Sequence, residues 1–293
     1  MGRRQIPQRS RVPRYEGEDL PFQLAMLEKI TPVILTFNEA PNIGRTLGKL
    51  AWARDIVIVD SGSTDATLAI ARECPQVRVF QRSFDTHAAQ WTYAITQTGI
   101  ATEWVLALDA DYTLTPAVIE ELSTLQPSSR ISGFRAGFIY CVGGKPLRSA
   151  LYPPVTVLFR HARASYRQDG HTHRVEVGGD VEQLGSSLLH DDRKPWTRWI
   201  VAQCRYMRLE AEKVRNARVP CLNWPGRIRK LRIVAPGVMI LYCLFARGLI
   251  LDGRAGMLYT LQRTLAEALL SFYLLKGDLS IVQRIRKRHP LEM

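Results

Sequence analysis

Two aspartates one residue apart, Asp109 and Asp111, follow directly on the apolar run Trp104–Leu108. Carboxylates so spaced at a strand end can hold a hard divalent cation together with phosphate oxygens, an arrangement that magnesium and manganese favour. Such a cation neutralises charge building up on a departing diphosphate. Asp60 ends a second apolar run, where it can accept hydrogen bonds from a nucleobase or a ribose. Asp65 follows across Ser61-Gly62-Ser63-Thr64, and at least one of Ser63 and Asp65 is expected simply to cap the next helix. A third acidic pair, Asp191-Asp192, stands behind His190 some 80 residues after Asp111. No Gly-x-Gly-x-x-Gly and no Walker A sequence occurs, which argues against a dinucleotide oxidoreductase and a P-loop ATPase.

The elements that must position these groups alternate. TPVILTF is a short run rich in β-branched residues that ends at Asn38-Glu39. A helix follows, with Pro41 near its first turn and Ile43, Leu47 and Leu50 on one face. DIVIVD is a second strand, ATLAIAREC a helix, QVRVF a third strand, and Ala88–Thr98 a helix. WVLALDAD is the fourth strand, and Thr115-Pro116 opens the helix AVIEELSTL. Parallel strands joined by helical crossovers make a doubly wound α/β sheet, whose ligands sit beyond the carboxyl ends of the strands. From about Ser132 the pattern turns strand-rich, with a Gly143-Gly144 turn and the segment DGHTHRVEVGG. From Trp196 it turns helical. A basic linker, Arg227–Arg232, precedes an apolar stretch, Ile233–Ala246, with a kink expected at Pro236-Gly237, and two more helical segments close the chain.

The 293 residues are 46% hydrophobic and 23% charged, which excludes wholesale disorder and fibrous repeats. Five scattered cysteines without CxxC spacing argue against a disulfide framework or a zinc ribbon. The formal charge of +13 is unevenly spread: residues 31–190 carry −1 and residues 191–293 carry +12. The basic excess therefore belongs to the C-terminal third and points to a local anionic partner. The first residues are basic, lack an apolar core, and read as a disordered tail.

ILTFNEAPNIGRTLGKL, then WARDIVIVDSGSTDATLAIA, then WVLALDAD resembles the family 2 glycosyltransferases, whose fold is GT-A, a Rossmann-like and mostly parallel sheet flanked by helices. The subgroup it looks most like is the bacterial lipopolysaccharide-core β-1,4-glucosyltransferases. Together with the charge and hydropathy pattern, the resemblance gives three expected regions: a disordered basic tail over 1–28, a GT-A catalytic domain over 29–190, and a helical, basic extension over 191–293 that the cations beside its apolar block suit to a membrane interface. It implies a metal-dependent hexosyltransferase that inverts the anomeric centre. The sugar would pass from a nucleotide-diphosphate donor, a UDP-sugar foremost, to a saccharide or lipid-linked acceptor in cell-envelope polysaccharide synthesis. Mg²⁺ or Mn²⁺ would be the cofactor.

By the same resemblance Thr36, Asn38 and Glu39 lie by the nucleotide, Asp60 contacts base or ribose, and Arg82 assists. Asp109 would face ribose and metal, Asp111 would ligate the metal, and Gln90 falls where the subgroup often has a glutamine. Inversion needs a general base on the acceptor hydroxyl. The subgroup often places His-Glu after the sheet, where this chain has His173-Arg174. Paired carboxylates at Asp191-Asp192 suit a base better, with Asp191 favoured over Asp192. His173 is then expected to touch substrate, with phosphate binding, metal binding or plain packing as the alternatives for the histidines. Gln203-Cys204-Arg205-Tyr206 only loosely matches the Gln-x-x-Arg-Trp motif of membrane-bound relatives, and a plain helix face is the expectation there.

The fourteen residues Ile233–Ala246 are too few to span a bilayer, which needs ~20. Cations beside an apolar block suit a helix lying in the membrane interface. The expectation is a cytoplasmic enzyme in peripheral contact with the inner face of the cell membrane. Nucleic acid is not an expected partner, because no interleaved aromatics or recognisable module accompany the charge. Two other functions fit the same fold: a sugar-nucleotide-binding protein without catalysis, and a nucleotidyltransferase. The second needs a Gly-rich phosphate loop after the first strand, where this chain reads TFNEAPN.

Overall fold

The computed structural model describes residues 26–169, 172–217 and 224–288. The tail expected over 1–28 lies outside the described residues up to position 25, and Met26 and Leu27 already belong to the core. His171 and Cys221 also fall outside.

Four strands form the parallel half of the sheet: β1 (Ile30–Thr36), β2 (Ile56–Asp60), β3 (Val77–Gln81) and β4 (Trp104–Asp109), in the order β3-β2-β1-β4. Helices α1 (Ile43–Leu47), α2 (Thr67–Arg72) and α3 (His87–Gln97) make the crossovers. A short β5 (Tyr112–Thr113) and helix α4 (Pro116–Thr124) follow. Thr115 caps α4, its hydroxyl accepting from the Val118 amide at 3.2 Å, with Pro116 at the first helical position. The sheet continues through β8 (Val155–Arg160), β6 (Ile131–Val142), β11 (Asp180–His190) and β5, now mixed in direction, with β7 (Lys145–Pro146) on the end of β6. Strands β9 (Ala164–Asp169) and β10 (Thr172–Val177) pair separately.

Strands with both faces covered read as continuous apolar runs, and their residues still alternate between two cores. Val33, Val57, Val59, Val105 and Ala107 pack with Trp91, Ala94 and Ile95 of α3. Ile34, Ile56, Ile58, Leu106 and Leu108 pack on the other face with Ile43, Leu47, Leu50, Val118 and Leu122. The α/β expectation of a mostly parallel sheet flanked by helices, with a helical C-terminal segment, holds.

The C-terminal third differs from its sequence pattern in detail. Helix α5 (Trp196–Asn216) is as expected. The basic stretch expected as a linker is instead largely helix α6 (Trp224–Lys230). Helix α7 (Val234–Leu241) accommodates Pro236 in its first turn, where a missing N–H costs nothing, and runs into a π-helical turn, Tyr242–Ala246. The sharp bend, 72°, falls at Arg247-Gly248 rather than at Pro236-Gly237. Gly248 has φ +65, a left-handed conformation that glycine adopts without strain. One 36-residue helix, α8 (Gly253–Arg288), replaces the two expected segments. Packing of Met207, Ala211 and Val214 on Ala266, Leu270 and Leu274 carries α8 toward Gly277, which local propensity alone marks as a stop.

Candidate active site

Register places the acidic strand ends side by side. Thr36 pairs with Asp60 across β1 and β2, and Leu35 pairs with Asp109 across β1 and β4. The carboxyl ends of three neighbouring strands thus form one rim. Beyond β4 the chain turns at Ala110, and buried Thr46 of α1 fixes that turn, its hydroxyl lying 2.7 Å from the Ala110 carbonyl and 2.9 Å from the Tyr112 carbonyl. On the other side β11 pairs with β5, His190 opposite Tyr112, and the Asp191 amide donates to the Asp111 carbonyl at 3.1 Å.

Asp111 is buried and Asp109 half-buried, and the two carboxyls lie close enough to raise one another's cost of ionisation. Burial and the charge of Asp111 push the Asp109 carboxyl up to about 6. Burial also opposes ionisation of Asp111, but His190 and Lys194 outweigh it and hold that carboxyl below its usual range. His190 Nε2 lies 3.4 Å from Asp111 Oδ2, inside a box of Tyr112, Phe138, Tyr140 and Tyr152 rings. Burial works against the imidazolium, yet Asp111 raises the His190 pKa overall. Asp111 Oδ1 is buried without a hydrogen-bond partner. A carboxylate gripped on one oxygen, with the other orphaned beside a second carboxylate, is a donor set that fits a divalent cation. Among the described residues no cluster of three or more His, Cys, Asp or Glu side chains could hold a metal alone. Donor phosphates and water would therefore complete its coordination, as is common for magnesium.

The side chains expected to bind nucleotide are mostly bonded within the protein. Asp60 Oδ1 accepts from Thr36 Oγ1 at 2.8 Å and Ser63 Oγ at 2.5 Å; its Oδ2 accepts from the Gly62 and Ser63 amides at 2.9 and 2.8 Å. A carboxylate has about four acceptor sites, and with these four bonds Asp60 braces the turn after β2. Gln90 is likewise bonded within the protein. It is buried, donates to Ser61 Oγ and the Arg82 carbonyl, and accepts from Arg82 Nη1 at 2.8 Å. Arg82 is held by Asp85 through both terminal nitrogens. Asn38 sits at φ +57, and its Oδ1 accepts from the Thr64 amide at 2.6 Å, tying the loop after β1 to the loop after β2. Asp65 accepts from the Thr67 amide, the capping role expected of it or Ser63.

The two candidate bases differ in their bonding. Asp191 is buried; its Oδ2 meets Arg45 Nη1 and Arg193 Nη2, each at 2.8 Å, and its Oδ1 accepts from the Gly144 amide at 3.2 Å. Two guanidiniums on one carboxylate oxygen make a clamp. Asp192 differs. Its Oδ1 accepts from Asn42 Nδ2 and the Lys194 amide, both at 3.0 Å, while no described residue bonds Oδ2 and the side chain is 23% exposed. Lys194 Nζ reaches Glu39 Oε1 at 2.6 Å, and Asn42 donates to Glu39 Oε2 at 2.9 Å. Burial raises the Glu39 pKa, with Asp111 adding to the rise and Lys194 opposing it. The backbone of His173 pairs with Gln168 in the separate β9–β10 ribbon, which packs against α3. Its side chain lies outside the described residues.

Thr46, Asn42, Arg45 and Lys194 carry much of this geometry without having been singled out by sequence. Their one visible signal is polarity on the buried face of the short helix α1 and in the chain after β11. Arg198 of α5 adds to it, donating to the Phe37 and Asn38 carbonyls.

Comparison with known proteins finds likenesses to glycosyltransferases. The family model described as glycosyl transferase family 2 matches residues 31–161. A lipopolysaccharide core biosynthesis glycosyltransferase, LpsC, of Rhizobium meliloti is 28% identical over 245 residues, 78% of this chain and 85% of the relative. An uncharacterized glycosyltransferase of Rickettsia felis is 32% identical over 172 residues, 56% of this chain and 60% of the relative. Among solved structures, Staphylococcus aureus TarS 1–349 in complex with UDP-GlcNAc aligns with TM-score 0.44 at 15% identity, covering 81% of this chain and 90% of that one. Glucosyl-3-phosphoglycerate synthase of Mycobacterium tuberculosis with Mn²⁺, UDP and glucosyl-3-phosphoglycerate aligns with TM-score 0.43 at 13% identity, covering 69% and 85%. Residues 31–161, which span the parallel half of the sheet with its acidic rim, thus match the model of the family 2 glycosyltransferases.

Proposed function

We propose that this glycosyltransferase moves a sugar, with inversion, from a UDP-sugar to a saccharide or lipid-linked acceptor of the cell envelope, with Mg²⁺ or Mn²⁺ held by Asp109 and Asp111. The likeness to a lipopolysaccharide core glycosyltransferase supports the acceptor class. The observation that carries the reading is the carboxylate pair at the aligned strand ends, one oxygen of Asp111 held by His190 and the other buried without a partner. A divalent cation bound there supplies positive charge to the diphosphate as it departs.

The protein's own groups do the rest. His190 and Lys194 keep Asp111 ionised. Thr46 holds the turn that aims both aspartates. Phe37, 52% exposed at the end of β1, offers a ring face to the nucleobase. Asp192 Oδ2 takes the proton from the acceptor hydroxyl while the new bond forms from that oxygen to the anomeric carbon. The bond to the diphosphate breaks, and its electron pair leaves with the diphosphate. Asp192, not Asp191, has the unbonded oxygen this step needs.

The test is binding of UDP to wild type and to Asp111→Asn, followed by thermal shift with Mn²⁺ and with EDTA. A ligand that binds only the folded state raises its melting temperature. Wild type should be stabilised by UDP with Mn²⁺ and lose most of that gain in EDTA, and Asp111→Asn should show no Mn²⁺-dependent gain. Equal UDP stabilisation of both proteins, with or without metal, would remove the metal from the reading.

A further inference from the structure

We infer that the exposed face of residues 231–276 seats on an anionic lipid surface, lying within its headgroup layer rather than crossing it. Sixteen of the 24 large hydrophobic residues exposed among the described residues fall in this segment. They occupy both arms of the bent pair. On the first arm Ile233 is 76% exposed and Phe245 65%; between the arms Leu251 is 68% exposed. On α8 the exposed row is Leu258, Leu261, Leu265, Phe272 and Leu275, spaced by three, four or seven residues along one face. The opposite face of α8 is already covered by α5 and β6 through Tyr259, Ala266, Leu270 and Leu274. A contiguous apolar face of this extent marks an interaction surface.

The charges select the occupant. Residues 231–276 hold five Lys or Arg and two acidic residues. Both acids are buried and paired: Asp252 with Arg148 at 2.9 Å, and Glu267 with Arg229. The outer surface of the segment therefore pairs apolar side chains with cations, among them Arg254 and Lys276, and presents no carboxylate. A second copy of the same face would bring cations against cations with no acid to meet them. Anionic headgroups meet them, and the cytoplasmic leaflet is the one with the negative surface potential. No single helix among the described residues is long and apolar enough to cross a membrane; the two arms reach that length and composition only together, and they meet at 72°. An interfacial wedge fits that shape, with apolar side chains below the headgroups and Arg and Lys at their level.

Vesicle flotation of the full chain tests this without reference to sugar transfer. The probes are vesicles of phosphatidylcholine with phosphatidylglycerol, and vesicles of phosphatidylcholine alone. The chain should float with the anionic vesicles at low salt and about tenfold less with neutral ones or at high salt. Phe245→Asp with Leu251→Asp, and separately Arg254→Glu with Lys276→Glu, should each cut flotation about tenfold while melting as wild type does. The salt series on the unaltered chain guards against a variant that misfolds. Three results overturn the inference: a chain that stays at the bottom of the gradient with anionic vesicles at low salt; variants that float as wild type; or a dimer without lipid that the Phe245 and Leu251 substitutions disperse, which would make the face a contact between copies.

Discussion

Exchanging Asp191 and Asp192 for asparagine, one at a time, separates a clamp from a base. Asp191 is buried and receives Arg45 and Arg193 on Oδ2 and the Gly144 amide on Oδ1. Removing one partner of a buried ion pair costs ~3–5 kcal/mol. Here the guanidiniums are 29% and 46% exposed, so solvent screening reduces the loss, and the Asp191→Asn side chain would keep one acceptor oxygen. The expected destabilisation is ~2 kcal/mol. Asp192→Asn keeps the oxygen that Asn42 and the Lys194 amide use, and the expected loss is under ~1 kcal/mol. Turnover should divide the other way. Loss of a general base lowers kcat by ~10²–10⁴-fold. Asp192→Asn should fall in that range with UDP binding unchanged, whereas folded Asp191→Asn should keep kcat within about tenfold. Urea unfolding measures the first quantity and single-turnover transfer the second. If Asp192→Asn turned over like wild type, or Asp191→Asn lost turnover but no stability, the assignment of roles from bonding would be wrong.

Two further outcomes depend on the same site. Burial and the charge of Asp111 raise the Asp109 pKa toward about 6 when no metal is bound, and only the ionised carboxylate ligates a cation. Mn²⁺-dependent UDP affinity should therefore be full above that pH and fall as pH drops through it. The raised pKa also means that an ionised Asp109 destabilises the fold above about 6, a cost relieved as the pH falls toward the unfolded value. A pH titration of UDP binding showing no change across that range would refute this. Thr46→Val removes the hydroxyl that anchors the Ala110 turn and should cost ~1–3 kcal/mol in urea unfolding while weakening Mn²⁺-dependent UDP binding. Loss of stability with unaltered metal dependence would make Thr46 a packing residue only.

The parallel half of the fold was legible because local and global signals agree there. Strands buried on both faces are apolar throughout, and the loops that follow them are polar, so the acidic strand ends could be lined up without coordinates. Which acid does what was not legible. Asp60 and Asp191 have the residue type and position of ligand-binding groups, but their oxygens are filled by amides and side chains that sequence cannot bring near them: Thr36 lies 24 positions from Asp60, and Arg45 146 from Asp191. Asp192 looks identical to its neighbour in a string of letters. Its difference is one unbonded oxygen. The C-terminal third misled for another reason. Gly277 and the Arg227–Arg232 run carry local stop or linker signals, and contacts with α5 override them.

The segment from His190 to Arg198 joins the sheet to the C-terminal helices, and it supplies half of the site. His190 faces Asp111, Asp191 ties Arg45 and Gly144, Asp192 holds Asn42, Lys194 reaches Glu39, and Arg198 grips the carbonyls of the β1 loop. Each of these bonds runs between the carboxyl rim of the parallel strands and a stretch that α5 fixes. Helix α5 is fixed in turn by its packing on α8. The basic helices are thus part of what holds the carboxylates in place, and the face of α8 turned away from α5 is the exposed apolar face proposed to meet lipid. A truncation before α5 would remove Arg198 and the support behind Lys194 along with the proposed lipid-facing surface. The same deletion would therefore lower donor affinity in solution, where no membrane is present to lose.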